Sequence, residues 1–139
     1  MPDYKVALIV LYDLENRFLL QHRTKDARLL ADHWAFFGGG LKTEETPLEA
    51  LGREAMEELG HKIENPQLVL EQVFREGRTE GYMYVYVEQF TKDKSLLRLN
   101  EGQGWGWYKE SELNGLKMIP RDKQIISLIS EYLKNAYLK

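Results

Sequence analysis

The sequence predicts an α/β fold: one domain over residues 1–139, with strands before and after a central helix. Three observations point there. Aliphatic and aromatic runs bounded by turn residues occur near the N-terminus and again between residues 68 and 109. Residues 46–59 have both a helix start and a helix stop. From Ile119 onward, apolar residues return at helical spacing.

Tyr4 to Tyr12 is rich in Val, Ile and Leu and closes on Asp13-Leu14-Glu15-Asn16, as expected of a buried strand and its turn. Phe18 to Arg23 is its hairpin partner, and residues 24–33 are charged and irregular. Trp34 to Phe37 is a short strand entering a Gly-rich turn, Gly38-Gly39-Gly40. In the central helix Thr46 is the N-cap, Pro47 the first helical residue, and Glu49 completes a Thr-x-x-Glu capping box. Gly60 is the left-handed stop, and Leu48, Leu51, Ala55 and Leu59 form the apolar stripe. Leu68 to Arg75 and Tyr82 to Phe90 alternate as strands around a turn at residues 76–81, and Trp105 to Lys109 is another strand. Ile125, Leu128, Ile129, Tyr132 and Leu133 mark the core side of the C-terminal helix.

The 139 residues carry 43% hydrophobic and 12% aromatic side chains, a globular composition, and a net charge of −3. Mixed charge with a slight acidic excess disfavours duplex nucleic acid and membrane surfaces as partners. The absence of cysteine excludes disulfides, thiolate metal sites and cysteine nucleophiles, and fits a cytoplasmic location. The N-terminus lacks the form of a signal peptide, and no stretch reaches the roughly 20 apolar residues of a membrane span.

The central helix is electrostatically awkward. At about 100° per residue, its apolar stripe covers an arc of about 80°, and Glu54, Glu57 and Glu58 share an adjacent arc of about 100°. Glu54 and Glu58 repel at four-residue spacing, and the helix C-terminus disfavours anions. A solvated acidic face is one explanation. The other is a hard divalent cation, Mg²⁺ or Mn²⁺: no Lys or Arg follows these acids at four-residue spacing, and the glycines let the backbone approach closely. The spacing leaves both open.

Gly39, five residues, Glu45, seven residues, then Arg53-Glu54-Ala55-Met56-Glu57-Glu58-Leu59-Gly60 resembles the Nudix box, with every fixed position filled. Trp34 to Gly39 resembles the segment leading into it. His61 departs from the usual apolar residue, Phe37 from a common Pro, and Lys42 from an often acidic position. The resemblance implies a mixed β-sheet between α-helices and hydrolysis of a nucleoside diphosphate linked to another group. It implies Glu54, Glu57, Glu58 and the Gly38 carbonyl as metal ligands, with Mg²⁺ or Mn²⁺ as cofactor. Arg53 would orient the acids, and Glu45 would support the loop or a second ion. Glu101, in Glu101-Gly102-Gln103, matches a late-loop carboxylate of MutT-type members: a further ligand or the general base, in competition with Glu58.

Arg23 is a candidate for the phosphates, with a surface ion pair as the ordinary alternative. Phe74, Tyr82, Tyr84 and Tyr86 offer stacking surface, although alternating strand aromatics commonly belong to a core. Asp122 lies near where MutT-type members read a purine edge, and helix capping explains it equally. His22 and His33 fit structural or surface roles. The short chain resembles MutT-like nucleoside triphosphate diphosphatases, which release a monophosphate and pyrophosphate. 8-oxo-dGTP is one such substrate. Nucleotide sugars or ADP-ribose are the alternative within the family; hypotheses of another class are a binding module that uses a Nudix-like pocket to sense a nucleotide and an RNA 5′-end pyrophosphohydrolase, whose basic groove the net charge does not suggest. The expected partner is a small nucleotide, and a homodimer is compatible with the sequence.

Overall fold

The computed structural model describes residues 2–137. Strand β1 (Lys5–Tyr12) is almost continuously buried, as a strand covered on both faces must be. It pairs antiparallel with β2 (Phe18–His22) and β4 (Phe37–Gly40), and parallel with β6 (Thr79–Gln89). β6 continues antiparallel into β5 (Gln67–Glu76), and β2 pairs with β3 (Trp34–Ala35) and β7 (Gly104–Tyr108). The result is one mixed seven-stranded sheet.

Alternation along β1 sends successive side chains to opposite faces. Ala7, Ile9 and Leu11 pack with Ala50, Leu51 and Leu59 of helix α1 (Pro47–Leu59). Val6 and Val10 pack with Ile125, Ile126, Ile129 and Leu133 of helix α2 (Pro120–Tyr137). The sheet is therefore sandwiched between helices, as the family resemblance implies. No helix among the described residues is long and apolar enough to cross a membrane.

Helix α1 begins and ends as expected. The Thr46 hydroxyl accepts from the Glu49 amide at 3.1 Å, the Glu49 carboxylate accepts from the Thr46 amide at 2.9 Å, and Gly60 stops the helix at φ 63°.

Three expectations need correction. Leu48, in the first turn, is exposed although it lies at the same helical angle as the buried Ala55 and Leu59, and Ala50 and Glu58 extend the buried face on the other flank. In α2, Leu128 and Tyr132 are exposed and Ile126 is fully buried, so the buried arc lies on the other flank of the predicted stripe. The glycine run is a strand rather than a turn: Gly38, Gly39 and Gly40 pair with Leu8, Ala7 and Val6. Gly38 has φ 134°, and a Cβ there would lie 2.1 Å from the Ala7 carbonyl oxygen, so only glycine fits.

The departures His61 and Phe37 serve packing: both are buried, and His61 Nε2 meets the buried Glu88 carboxylate at 2.6 Å. The corrected stripe is testable by denaturant unfolding. Leu51→Ala is expected to cost about 3 kcal/mol, and Leu48→Ala less than about 1 kcal/mol.

Candidate functional site

Strand β4 brings α1 close because its glycines have no side chains. The Gly38 amide donates to Glu58 Oε1 at 2.8 Å. The Glu54 carboxylate rests on Gly39, where a Cβ would fall 2.6 Å from Oε1. Glu58 is only 2% exposed, and the Glu101 carboxylate lies within hydrogen-bonding reach of it. Burial first, and then this neighbouring acid, push Glu58 up to about 10, while the Gly38 amide pulls the other way.

Arg53 holds the rest of the acids in place. Its guanidinium forks onto Glu45, with Nε to Oε2 and Nη2 to Oε1 both at 2.9 Å. Nη1 reaches Glu54 Oε1 at 2.8 Å and Glu57 Oε2 at 3.5 Å, and Nη2 also donates to the Gly40 carbonyl at 3.0 Å. Glu45 takes a further bond from the Lys42 amide at 2.9 Å and is held down at about 2, chiefly by Arg53. Both Glu45 oxygens are thus engaged in supporting the loop. Arg53, one residue before Glu54 and four before Glu57, supplies compensation that a search for cations after these acids overlooks.

The carboxylates open into a cavity of about 280 Å³ on the α2 side of the sheet. Val6, Leu8 and Met83 line it on the sheet side. Because β4 and β6 flank β1 at the same residues, the two sides of the cavity differ in chemistry. Gly38, Gly39, Glu54, Glu58 and Glu101 lie toward β4, whereas Phe74 and Glu76 come from β5 beyond β6. Arg121 and Asp122, in the first turn of α2, close the second side.

The donor set suits a hard divalent cation. It is all oxygen and multiply anionic, it faces a strand pared back to glycine, and its buried acid is forced toward protonation when no cation offsets the charge. Among the described residues no three His, Asp or Glu side chains, as they stand, are grouped so that they could hold a metal ion. The half-exposed Glu57 does not line the cavity and must turn inward to join such a set.

The substrate candidates divide. Arg23 lines the cavity, its Nε donates to the Leu29 carbonyl at 2.8 Å, and among the described residues it enters no ion pair. Phe74 lines it as well. Tyr82 does not: alternation along β6 puts it on the opposite face from Met83, where its hydroxyl bonds Glu71 at 3.1 Å. Tyr86 is core and Tyr84 packs against it. Asp122 is not the cap of α2, which starts at Pro120. It is 2% exposed and pushed up to about 6, mainly by burial, with Arg121 opposing.

Arg121 and Glu76 escape a reading of the sequence. Arg121 pairs with Glu76 and with Asp122 Oδ1 (3.2 Å), and its guanidinium lies 5.4 Å from the Phe74 ring centroid. One signal was available for Asp122. With Ile126 counted in the stripe, Asp122 falls near the middle of an arc of about 100°. His22 and His33 are structural: His22 stacks on Trp34 and bonds Asp32, and His33 bonds the Ala31 carbonyl.

Comparison with known proteins agrees with this geometry. The NUDIX domain profile matches residues 2–129. The chain is 27% identical over 111 residues to the nucleoside triphosphatase NudI of Enterobacter sp. (strain 638), covering 73% of this chain and 79% of that protein. It is 35% identical over 80 residues to an RNA pyrophosphohydrolase of Xylella fastidiosa (strain M12), covering 56% of this chain but 38% of that one. The crystal structure of a MutT protein from Methanosarcina mazei Go1 superposes with a TM-score of 0.77 at 18% identity, covering 96% and 94% of the two chains.

The raised Glu58 predicts a pH dependence of the metal-free protein. Above its ordinary value of 4.5 the unfolded chain releases the Glu58 proton, while the fold keeps it up to about 10. This contribution is whole below 4.5 and fades as pH rises toward 10, by about 1 kcal/mol per pH unit crossed. In chelator at pH 8, Glu58→Gln is therefore expected to unfold at higher denaturant than wild type, and the difference should shrink toward pH 5.

Proposed function

We propose that this chain, which belongs to the NUDIX domain family, is a divalent-metal-dependent nucleotide hydrolase that cleaves nucleoside triphosphates to a monophosphate and pyrophosphate. Enzymes of this family act on nucleoside diphosphate-linked substrates. The observation that carries the narrower reading is the two-sided cavity, with carboxylates and glycine backbone on one side and Phe74, Arg121 and Asp122 on the other.

The phosphates fit the first side. Glu54, Glu57, Glu58, Glu101 and the Gly38 carbonyl are the groups that would hold Mg²⁺ or Mn²⁺. Such an ion neutralises phosphate charge and lowers the pKa of a bound water. Arg53 keeps Glu54 and Glu57 oriented, and Arg23 offers its two terminal guanidinium nitrogens to the phosphate oxygens. A carboxylate next to the reacting phosphorus accepts the proton of the attacking water as its oxygen bonds to phosphorus and the bridging P–O bond breaks. Glu58 and Glu101, in contact with each other, are the two candidates for this role.

The base fits the second side. Phe74 offers a ring face, Leu8 and Met83 an apolar floor, and Asp122 beside Arg121 an acceptor next to a donor. The similarity to a nucleoside triphosphatase over most of its length favours a triphosphate over nucleotide sugars or ADP-ribose. An oxidised purine such as 8-oxo-dGTP is compatible with this second side. Retention of every acid in the box disfavours a binding module without activity.

A panel of nucleoside triphosphates, nucleotide sugars, ADP-ribose and 5′-triphosphorylated RNA with Mg²⁺ or Mn²⁺, assayed for pyrophosphate, phosphate and monophosphate, tests the reading. The expected result is pyrophosphate plus monophosphate from a triphosphate. Absence of turnover throughout would refute it. Glu57→Gln and Glu58→Gln should each lower kcat about a hundredfold or more, and full activity in either would remove that residue from the metal set.

A further inference from the structure

Glu101 lies in an irregular segment between Leu97 and strand β7, and this segment is docked at both ends. On one side it covers the C-terminal carbonyls of α1. The Asn100 amide and side chain donate to the Glu58 and Glu57 carbonyls, both at 3.0 Å, and the Arg98 amide donates to the Leu59 carbonyl at 2.9 Å. These carbonyls have no helical partner of their own, so the loop supplies what the helix end lacks.

On the other side the docking passes through one residue. The Gln103 amide donates to the His22 carbonyl at 2.7 Å. Its side-chain Nε2 donates to the Arg23 carbonyl at 2.8 Å and to Asp32 Oδ1 at 3.0 Å, and lies 3.3 Å from His22 Nε2. Asp32 is itself fixed by His22 Nε2 at 2.9 Å, and His22 is stacked on Trp34 at 4.9 Å. Asp32 stands at φ 60°, a conformation costly for a non-glycine residue, so this anchor is built at some expense. Gly102 completes the fit: a Cβ there would come within 2.9 Å of the His22 carbonyl oxygen and 3.0 Å of Gln21 Oε1. That Gln21 oxygen is buried and has no hydrogen-bond partner among the described residues.

The geometry points to Gln103 as a positioning residue that sets two site groups together. Its side-chain bonds to the Arg23 carbonyl and Asp32, added to its amide bond to the His22 carbonyl, clamp the segment carrying Glu101 onto the main chain of Arg23. The late carboxylate and the phosphate-facing arginine, from distant parts of the chain, are thereby held as one unit. This inference rests on the roles proposed above for Glu101 and Arg23.

The test compares Gln103→Ala, Glu101→Gln, Arg23→Ala and the Glu101→Gln/Gln103→Ala double variant. Kinetics on the turned-over triphosphate are paired with calorimetric Mn²⁺ titration of the nucleotide-free protein. Gln103→Ala is expected to lower kcat about tenfold to a hundredfold and also to raise KM, as misplacement of two groups requires. Glu101→Gln should chiefly lower kcat, and Arg23→Ala chiefly raise KM. Mn²⁺ affinity should fall in Gln103→Ala and Glu101→Gln but not in Arg23→Ala. The double variant should have the kcat of Glu101→Gln alone, because the two act through one group. A wild-type rate for Glu101→Gln would refute the role of Glu101. An impaired Glu101→Gln beside a Gln103→Ala with unchanged kcat, KM and Mn²⁺ affinity would refute the latch alone. A Gln103→Ala that loses only thermal stability, or a double variant whose losses multiply, would also overturn it.

Discussion

The close approach of α1 to β4 is the constraint on which the site depends. Glu54 lies where a Cβ on Gly39 would be, and Glu58 takes its hydrogen bond from the Gly38 amide. A side chain at Gly39 would displace the Glu54 carboxylate, and any at Gly38 would collide with the backbone of β1. The three glycines are therefore spent on packing and on exposing main-chain groups, not on bending the chain. A helix pressed on bare backbone lets its acids reach past the sheet into the cavity.

That arrangement has an electrostatic cost, which the fold meets in two different ways. Glu45, Glu54 and Glu57 are compensated within the protein by Arg53, whose planar fork serves several partners at once where a lysine would serve one or two. Glu58 has no such cation among the described residues: it is buried beside the exposed acid Glu101, and so is driven toward the neutral form. The division separates acids whose geometry is fixed in advance from acids whose charge depends on what binds. A site of this kind is set to take up positive charge.

The second side of the cavity follows the same logic on a smaller scale. Arg121 is held by Glu76 and Asp122 and lies over Phe74, so its direction is settled before any ligand arrives. Asp122 is buried by the same helix face that supplies Ile125, Ile126 and Ile129 to the core. Polar groups rigidly placed among apolar ones are what selective recognition requires.

The sequence by itself determined the local elements and the identity of the acids. Helix α1 was legible because its cap, first-position proline and glycine stop are all local, and the acidic arc because helical angle is fixed by residue number. The central strand was legible because burial on both faces writes an unbroken apolar run. What the tertiary structure decided is which of these groups meet. Tyr82 was lost to the cavity because strand alternation is absolute and only pairing with β5 fixes its sense. Leu128 turned outward, and Leu48 stayed uncovered in the first turn, because what covers a helix face is set by its neighbours and not by the helix. Arg121 with Glu76, and Gln103 with Arg23 and Asp32, are pairings between residues 45, 80 and 71 positions apart. No local pattern encodes such distances, since they arise only when the strands are laid in order and the loops must find partners for their hydrogen bonds.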